Sequence, residues 1–190
     1  NCLKIVTSES KEFIVKYYYK NNDKFNAIKS ETDNLLFFNR QKFSQFPSII
    51  NYNDNLLIMS FINNDDDQPN QTNGDLLNSI ISLHSKKSED YGFSFDTQIG
   101  GLRQINSSSK NWLEFYRDKR LNYIFDLVNK NQPMDETINT KIDLLIKKID
   151  NFIPNKPISS LLHGDLWEGN ILFKNKKFVG FIDPGSFYGH

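Results

Sequence analysis

Three residues near the C-terminal end of the sequence carry its most visible chemistry. Asp165 and Asn170 stand in His163-Gly164-Asp165-Leu166-Trp167-Glu168-Gly169-Asn170, and Asp183 follows in Phe181-Ile182-Asp183-Pro184-Gly185. The offset Asp-x-x-x-x-Asn is the one phosphoryl-transfer enzymes place around ATP and magnesium. A loop of that length aims a carboxylate at an acceptor hydroxyl while the carboxamide oxygen turns the other way, toward a hard cation. Between Asn170 and Asp183 lie Ile171-Leu172-Phe173, a polar Lys174-Asn175-Lys176-Lys177 turn and Phe178-Val179-Gly180-Phe181-Ile182, a pattern that predicts a β-hairpin. A hairpin returns to its start. Asp183 is therefore expected beside Asn170, where two oxygen ligands share a cation that also holds substrate phosphates. His-Gly-Asp and Asp-Pro-Gly are each common as simple turns, so the reading rests on their combination across a hairpin. His163 is expected to brace the loop rather than react.

Phosphate charge also has to be neutralised by a cation with an anchor upstream. Leu3-Lys4-Ile5-Val6 and Phe13-Ile14-Val15-Lys16-Tyr17-Tyr18 flank a polar stretch and predict an antiparallel hairpin, with Lys16 in its second strand. From Phe25 to Phe43 the apolar positions Phe25, Ile28, Leu35, Leu36, Phe38 and Phe43 predict a helix, and Glu31 lies inside it. A strand lysine held by a helix glutamate is how kinases grip the α- and β-phosphates, and Lys16 and Glu31 fit that order. Taken alone, each is an ordinary solvated side chain. Residues 49–52 and 56–62 predict a second strand pair turning at Asn53-Asp54-Asn55. Met59, Ser60, Phe61 and Ile62 close it and are candidates to hold a nucleotide base through backbone groups; an ordinary strand end is the alternative.

Residues 63–74 (NNDDDQPNQTNG) contain no apolar side chain and predict a linker. Their spacing does not match a calcium-binding EF-hand loop. Helices are predicted over 75–87, 110–129 and 137–152, with an irregular glycine-containing segment over 91–106 between the first two. Trp112, Phe115, Tyr116 and Phe125 recur at helical spacing and read as core. The expected fold class is α+β, with a small antiparallel β-rich lobe over 1–62, a hinge or linker over 63–74 and a mainly helical lobe over 75–190 that carries the loop and hairpin.

Balanced charge, 23 basic against 23 acidic residues, argues against an electrostatic nucleic-acid binder. The single Cys2 forms no internal disulfide, and no apolar run reaches membrane-spanning length, so a cytoplasmic enzyme without a membrane or nucleic-acid partner is expected.

With these residues in view, the sequence resembles the fructosamine kinase (ketosamine 3-kinase) family, relatives of aminoglycoside and choline kinases. The resemblance is strongest in HGDLWEGN and FIDPGSFYGH, with support from Tyr91-Gly92-Phe93, Gln104-x-Asn106, Trp112-x-x-Phe115 and Arg120-Leu121. Protein kinases themselves are less similar, because Gly164 and Pro184 stand where they have Arg and Phe. The resemblance implies a two-lobed protein-kinase-like fold and ATP-dependent phosphorylation of the 3-hydroxyl of a fructosamine or ribulosamine, free or protein-bound, a deglycation reaction. It implies that Asp165 is the base or orienter for the sugar hydroxyl and that Asn170 and Asp183 hold Mg2+. Lys16, supported by Glu31, would hold the ATP phosphates, and the backbone of residues 59–62 the adenine. Trp167 is a candidate sugar platform and is equally readable as a packed loop aromatic. The family's Gly-rich phosphate loop is expected before Asn1 and further helices after His190, so the sequence reads as a piece of a longer chain. Ser60 stands where an acidic residue is common. The alternatives are an aminoglycoside- or choline-type kinase, since shared motifs do not read the acceptor, and a non-catalytic nucleotide-binding domain.

Overall fold

The computed structural model describes residues 1–18, 25–65, 67–69 and 73–190. Its strands and helices, in chain order, begin with β1 (Cys2–Val6), β2 (Glu12–Tyr17), α1 (Ala27–Arg40), β3 (Ile49–Asn53), β4 (Leu56–Ser60) and α2 (Gly74–His84). Next come β5 (Lys87–Ser88), β6 (Thr97–Ile99), β7 (Leu102–Gln104), α3 (Trp112–Tyr116), α4 (Tyr123–Asn131) and α5 (Glu136–Lys147). The chain continues through β8 (Ser159–Leu162), β9 (Ile171–Lys174), β10 (Lys177–Phe181) and β11 (Phe187–Gly189). Both antiparallel sheets and helices are present, so the fold is α+β.

Two compact units emerge: residues 1–83, 97–103 and 163–186 form the first, and residues 84–96, 104–162 and 187–190 the second. The division departs from the boundaries read in the sequence, because the loop, the β9–β10 hairpin and most of α2 join the N-terminal unit. Backbone hydrogen bonds give the reason. Phe181 N–H donates to the Gln45 carbonyl at 2.8 Å, and Asp65 N–H donates to the Phe173 carbonyl at 3.1 Å. Within the 63–74 linker, residues 66 and 70–72 lie outside the described residues.

The first unit is built on an antiparallel sheet in the order β1-β2-β4-β3. Strand β2 is therefore paired on both edges, with Lys16 opposite Cys2 on one side and Leu57 on the other. Helix α1 starts where Asn26 caps it, its side-chain oxygen accepting from Lys29 N–H at 3.0 Å, and such a cap is worth about 1 kcal/mol. Its buried stripe runs Ile28, Glu31, Leu35 and Phe38, so a carboxylate occupies a position whose spacing is that of the core. From that stripe the core continues by ring contact. Phe38 stacks on Phe46 at 3.8 Å, and Phe46 meets His163 at 5.7 Å and Phe181 at 5.6 Å. This aromatic ladder joins α1 to the loop before Asp165 and to β10. The β9–β10 hairpin turns at Asn175 and Lys176, both with positive φ, and carries an irregularity between Phe178 and Gly180.

In the second unit, β11, β8 and β5 form a small sheet, and Tyr91, Trp112, Phe115 and Phe187 cluster as a core. The helix predicted over 110–129 is broken by a π-helical segment, Arg117–Asn122. Arg120 in that segment is buried, donates to the Ile105 carbonyl at 2.8 Å and to Asn106 Oδ1 at 2.7 Å, and lies over the Phe115 and Phe187 rings. A buried guanidinium with fixed partners favours the wider turn that points it inward. Strands β5, β8 and β11 are two to four residues long, too short to leave a period in the sequence.

Candidate active site

The candidate site residues Lys16, Glu31, Met59 to Ile62, Asp165, Trp167, Asn170 and Asp183 all fall within the first unit. Because both edges of β2 are paired, the backbone of Lys16 is fixed and its side chain projects to a defined place. Lys16 Nζ lies 2.7 Å from Glu31 Oε1 and 2.5 Å from Asp183 Oδ1. Glu31 is 4% exposed, whereas the Asp183 side chain remains 40% exposed. Burial alone would lower the Lys16 ammonium; the Glu31 and Asp183 carboxylates outweigh it and hold the group well above an ordinary lysine. Burial pushes the Glu31 carboxyl up, while the Lys16 ammonium pulls it back. One ammonium faces two carboxylates and is strongly held in its charged form.

Asp183 adopts φ +54°, a left-handed conformation that aspartate tolerates better than most residues. Such strain persists only where surrounding bonds over-determine the backbone. Here Ile182 N–H donates to the Asn170 carbonyl at 3.1 Å, and Gly185 N–H donates to the His163 carbonyl at 3.0 Å. The hairpin thus brings the Asp183 segment back to Asn170, as its length predicts. Asn170 is buried, and its Nδ2 donates to the Asp165 carbonyl at 2.8 Å and to Asp165 Oδ2 at 3.1 Å. With the amide nitrogen committed to Asp165, the Asn170 Oδ1 atom is the end available to a cation.

Gly164 explains why the loop accepts no side chain before Asp165. It has φ +86°, and a Cβ there would come within 2.0 Å of the Gly185 carbonyl oxygen. His163 is 2% exposed, and its Nδ1 accepts from Asp165 N–H at 3.3 Å. Burial pushes its imidazole down to about 4, so the ring is neutral and braces the loop. Trp167, 57% exposed, packs its ring against the bare Cα of Gly169: a Cβ on residue 169 would meet that ring at 2.4 Å.

Two cavities open onto these groups. The smaller, about 160 Å³, is walled by Ile14, Pro47, Leu172, Ile182 and the run Met59, Ser60, Phe61 and Ile62. The larger, about 380 Å³, is lined by Glu31, Gln98, Asp165, Trp167, Asn170 and others. Lys16 and Asp183 line both. The apolar cavity suits a flat heterocycle, the polar one suits a hydroxylated molecule, and the charged pair stands between them.

Sequence reasoning missed Gln98, Gly100 and Gly101, which reach the larger cavity from the β6–β7 hairpin. The glycine pair was the available signal, but strands of three residues carry no periodicity. Among the described residues no group of three or more His, Cys, Asp and Glu side chains forms a metal cluster, and no helix is long and apolar enough to cross a membrane.

The fructosamine kinase family model matches residues 1–190. The chain belongs to the fructosamine kinase family. Among its relatives is the protein-ribulosamine 3-kinase, chloroplastic, of Arabidopsis thaliana, 35% identical over 163 residues, covering 84% of this chain and 48% of the relative. The chain thus spans about half the length of that fructosamine kinase relative. A Thermobifida fusca crystal structure assigned as a fructosamine-3-kinase superposes with a TM-score of 0.83 at 20% identity, covering 100% of this chain and 65% of the other. The streptomycin–ATP–APH(2″)-IIa ternary complex superposes with a TM-score of 0.60 at 17% identity, covering 100% of this chain and 67% of that one. These likenesses give the family a protein-kinase-like fold here.

Proposed function

We propose that the complete protein is an ATP-dependent kinase that phosphorylates the 3-hydroxyl of a fructosamine- or ribulosamine-type ketosamine. The observation that carries this reading is the sharing of Lys16 and Asp183 between an apolar and a polar cavity, with Asp165 only on the polar side. ATP placed with its base against residues 59–62 directs its phosphates toward Lys16, and an acceptor in the polar cavity faces Asp165. The name of the Arabidopsis relative supplies the acceptor class.

In the transfer, the acceptor hydroxyl oxygen forms a bond to the γ-phosphorus, and the bond from that phosphorus to the β-γ bridging oxygen breaks, releasing ADP. Asp165 orients the hydroxyl and takes its proton. Lys16, held by Glu31, neutralises phosphate charge at a fixed place, so little reorganisation is needed as charge moves to the leaving oxygen. The donor set fits magnesium: Asn170 Oδ1 and the Asp183 carboxylate are two hard oxygen ligands, and Mg2+ in nucleotide sites takes one or two protein oxygens plus phosphates and water. When bound, the ion would supply charge neutralisation for the ATP phosphates. Phosphorylation beside the ketone makes the adduct prone to break down, which would give the reaction a deglycation role.

The test is ADP formation by the complete protein with ATP, Mg2+ and a synthetic ribulosamine or fructosamine, compared with choline and with an aminoglycoside. Ketosamine-dependent turnover is expected. Turnover on choline or an aminoglycoside alone would move the assignment to that kinase type, and nucleotide binding without any turnover would favour a non-catalytic domain.

A further inference from the structure

The β6–β7 hairpin is a short insert whose position follows from three contacts. Thr97 is fully buried, and its hydroxyl donates to the Gly185 carbonyl at 3.2 Å, tying β6 to the turn after Asp183. Strand β6 packs against α1, the helix that carries Glu31. On the return strand, the Arg103 guanidinium lies 6.0 Å from the Phe25 ring centroid, just ahead of the same helix. The hairpin is therefore anchored at its base to both carriers of the Lys16 partners.

Its tip is a two-residue turn, Gly100 and Gly101, with φ +56° and +86°. The Gln98 carbonyl oxygen Oε1 accepts from Gly101 N–H at 2.5 Å. That bond fixes which end of the carboxamide faces the turn. The Nε2 amide, a double donor, is left with no acceptor among the described residues, and Gln98 lines the larger cavity together with Asp165 and Trp167.

The phosphate donor and acceptor must approach the transferred group from opposite sides. Lys16 and Asp183 mark the boundary, the apolar cavity lies on one side, and Asp165 lies on the other. An acceptor positioned for Asp165 therefore occupies the larger cavity, where Trp167 offers an aromatic face and Gln98 a fixed donor. Polyhydroxylated rings are held by this combination of stacking surface and directional hydrogen bonds.

We infer that Gln98 binds the ketosamine acceptor through its Nε2 amide, and that the β6–β7 hairpin sets acceptor specificity; the inference rests on the kinase reading above. Gln98 is an acceptor-binding residue and takes no proton.

Two variants of the complete protein separate this role from a purely structural one. Gln98→Ala removes both the turn-holding oxygen and the outward donor. Gln98→Glu keeps an oxygen for Gly101 N–H while replacing the donor with an acceptor. The inference predicts that both raise the KM for the ketosamine by about three- to tenfold, the size of one lost hydrogen bond, with the KM for ATP unchanged. If Gln98 only staples the turn, Gln98→Glu leaves the ketosamine KM at the wild-type value, and the inference is overturned. An equal rise in both KM values overturns it as well, since that reports a general disturbance. Wild-type protein without ketosamine-dependent ADP formation overturns the parent reading instead, and this assignment with it.

Discussion

Lys16 and Asp183, 167 residues apart in sequence, meet at 2.5 Å on an ammonium that Glu31 also holds at 2.7 Å. One strand, one helix and the residue after a hairpin thus converge on a single charge. Replacing Lys16 with Met is expected to lower kcat by about a hundredfold or more, because a preorganised positive charge at a transferring phosphate is lost. Steady-state kinetics of the complete protein check this, and a kcat within about threefold of wild type would remove Lys16 from the site.

Glu31→Gln should act differently. Lys16 keeps Asp183 as a partner, so the variant folds, but the buried ammonium loses its nearer-buried anchor. A destabilisation of about 1 to 3 kcal/mol is expected, the cost of an impaired buried charge-assisted hydrogen bond, together with a raised KM for ATP. Urea unfolding and ATP titration measure the two effects separately.

The convergence was partly legible in the sequence. The order of a strand lysine before a helix glutamate paired Lys16 with Glu31, and the hairpin length placed Asp183 near Asn170, whereas the burial of Glu31 on the Ile28, Leu35 and Phe38 stripe was not read from the sequence. Other parts left no local signal. Phe46, the ring that joins α1 to His163 and β10, lies outside any periodic segment, because its burial is decided by residues far away in the chain. The β6–β7 hairpin escaped for a similar reason: three-residue strands are stabilised by tertiary contacts such as Thr97 to Gly185, not by local propensity. The division into units follows hydrogen bonds such as Phe181 to Gln45, which join segments distant in sequence and leave no local signal.

Gly164→Ala should be among the most damaging single substitutions. The new methyl would meet the Gly185 carbonyl oxygen at 2.0 Å in a backbone with φ +86°. Neither atom belongs to a flexible side chain, so the His163 and Gly185 segments must separate. A loss of about 3 kcal/mol or more is expected in equilibrium unfolding.

Gly169→Ala tests the Trp167 platform without touching Trp167. The added methyl forces the indole away from the loop, since the ring atoms lie 2.4 to 2.8 Å from the Cβ position. A shifted tryptophan emission spectrum and a KM for the ketosamine raised by about tenfold, with the KM for ATP unchanged, are expected. An altered spectrum with unchanged ketosamine KM would show that Trp167 packs without binding.

His163 gives the fold an acid sensitivity. Its folded imidazole is held near 4 by burial, below the unfolded value of 6.5, so the unfolded state binds the proton first as pH falls. The associated stability is fully present above about pH 6.5 and is lost between there and about pH 4, amounting to about 3 kcal/mol. Unfolding free energies of the wild type and His163→Asn across that window should differ in slope, with the wild type falling more steeply.

In the proposed reaction Asp165 serves phosphoryl transfer to a ketosamine hydroxyl from the polar cavity. Asp165→Asn retains an oxygen for the Asn170 amide, so the loop is preserved while the proton acceptor is removed. The decisive measurement is ketosamine-dependent ADP formation by the complete protein, wild type against Asp165→Asn, with nucleotide affinity determined in parallel. A kcat lowered by about a hundredfold or more, with ATP affinity unchanged, is expected for the variant. A variant that retains wild-type kcat would contradict this role for Asp165.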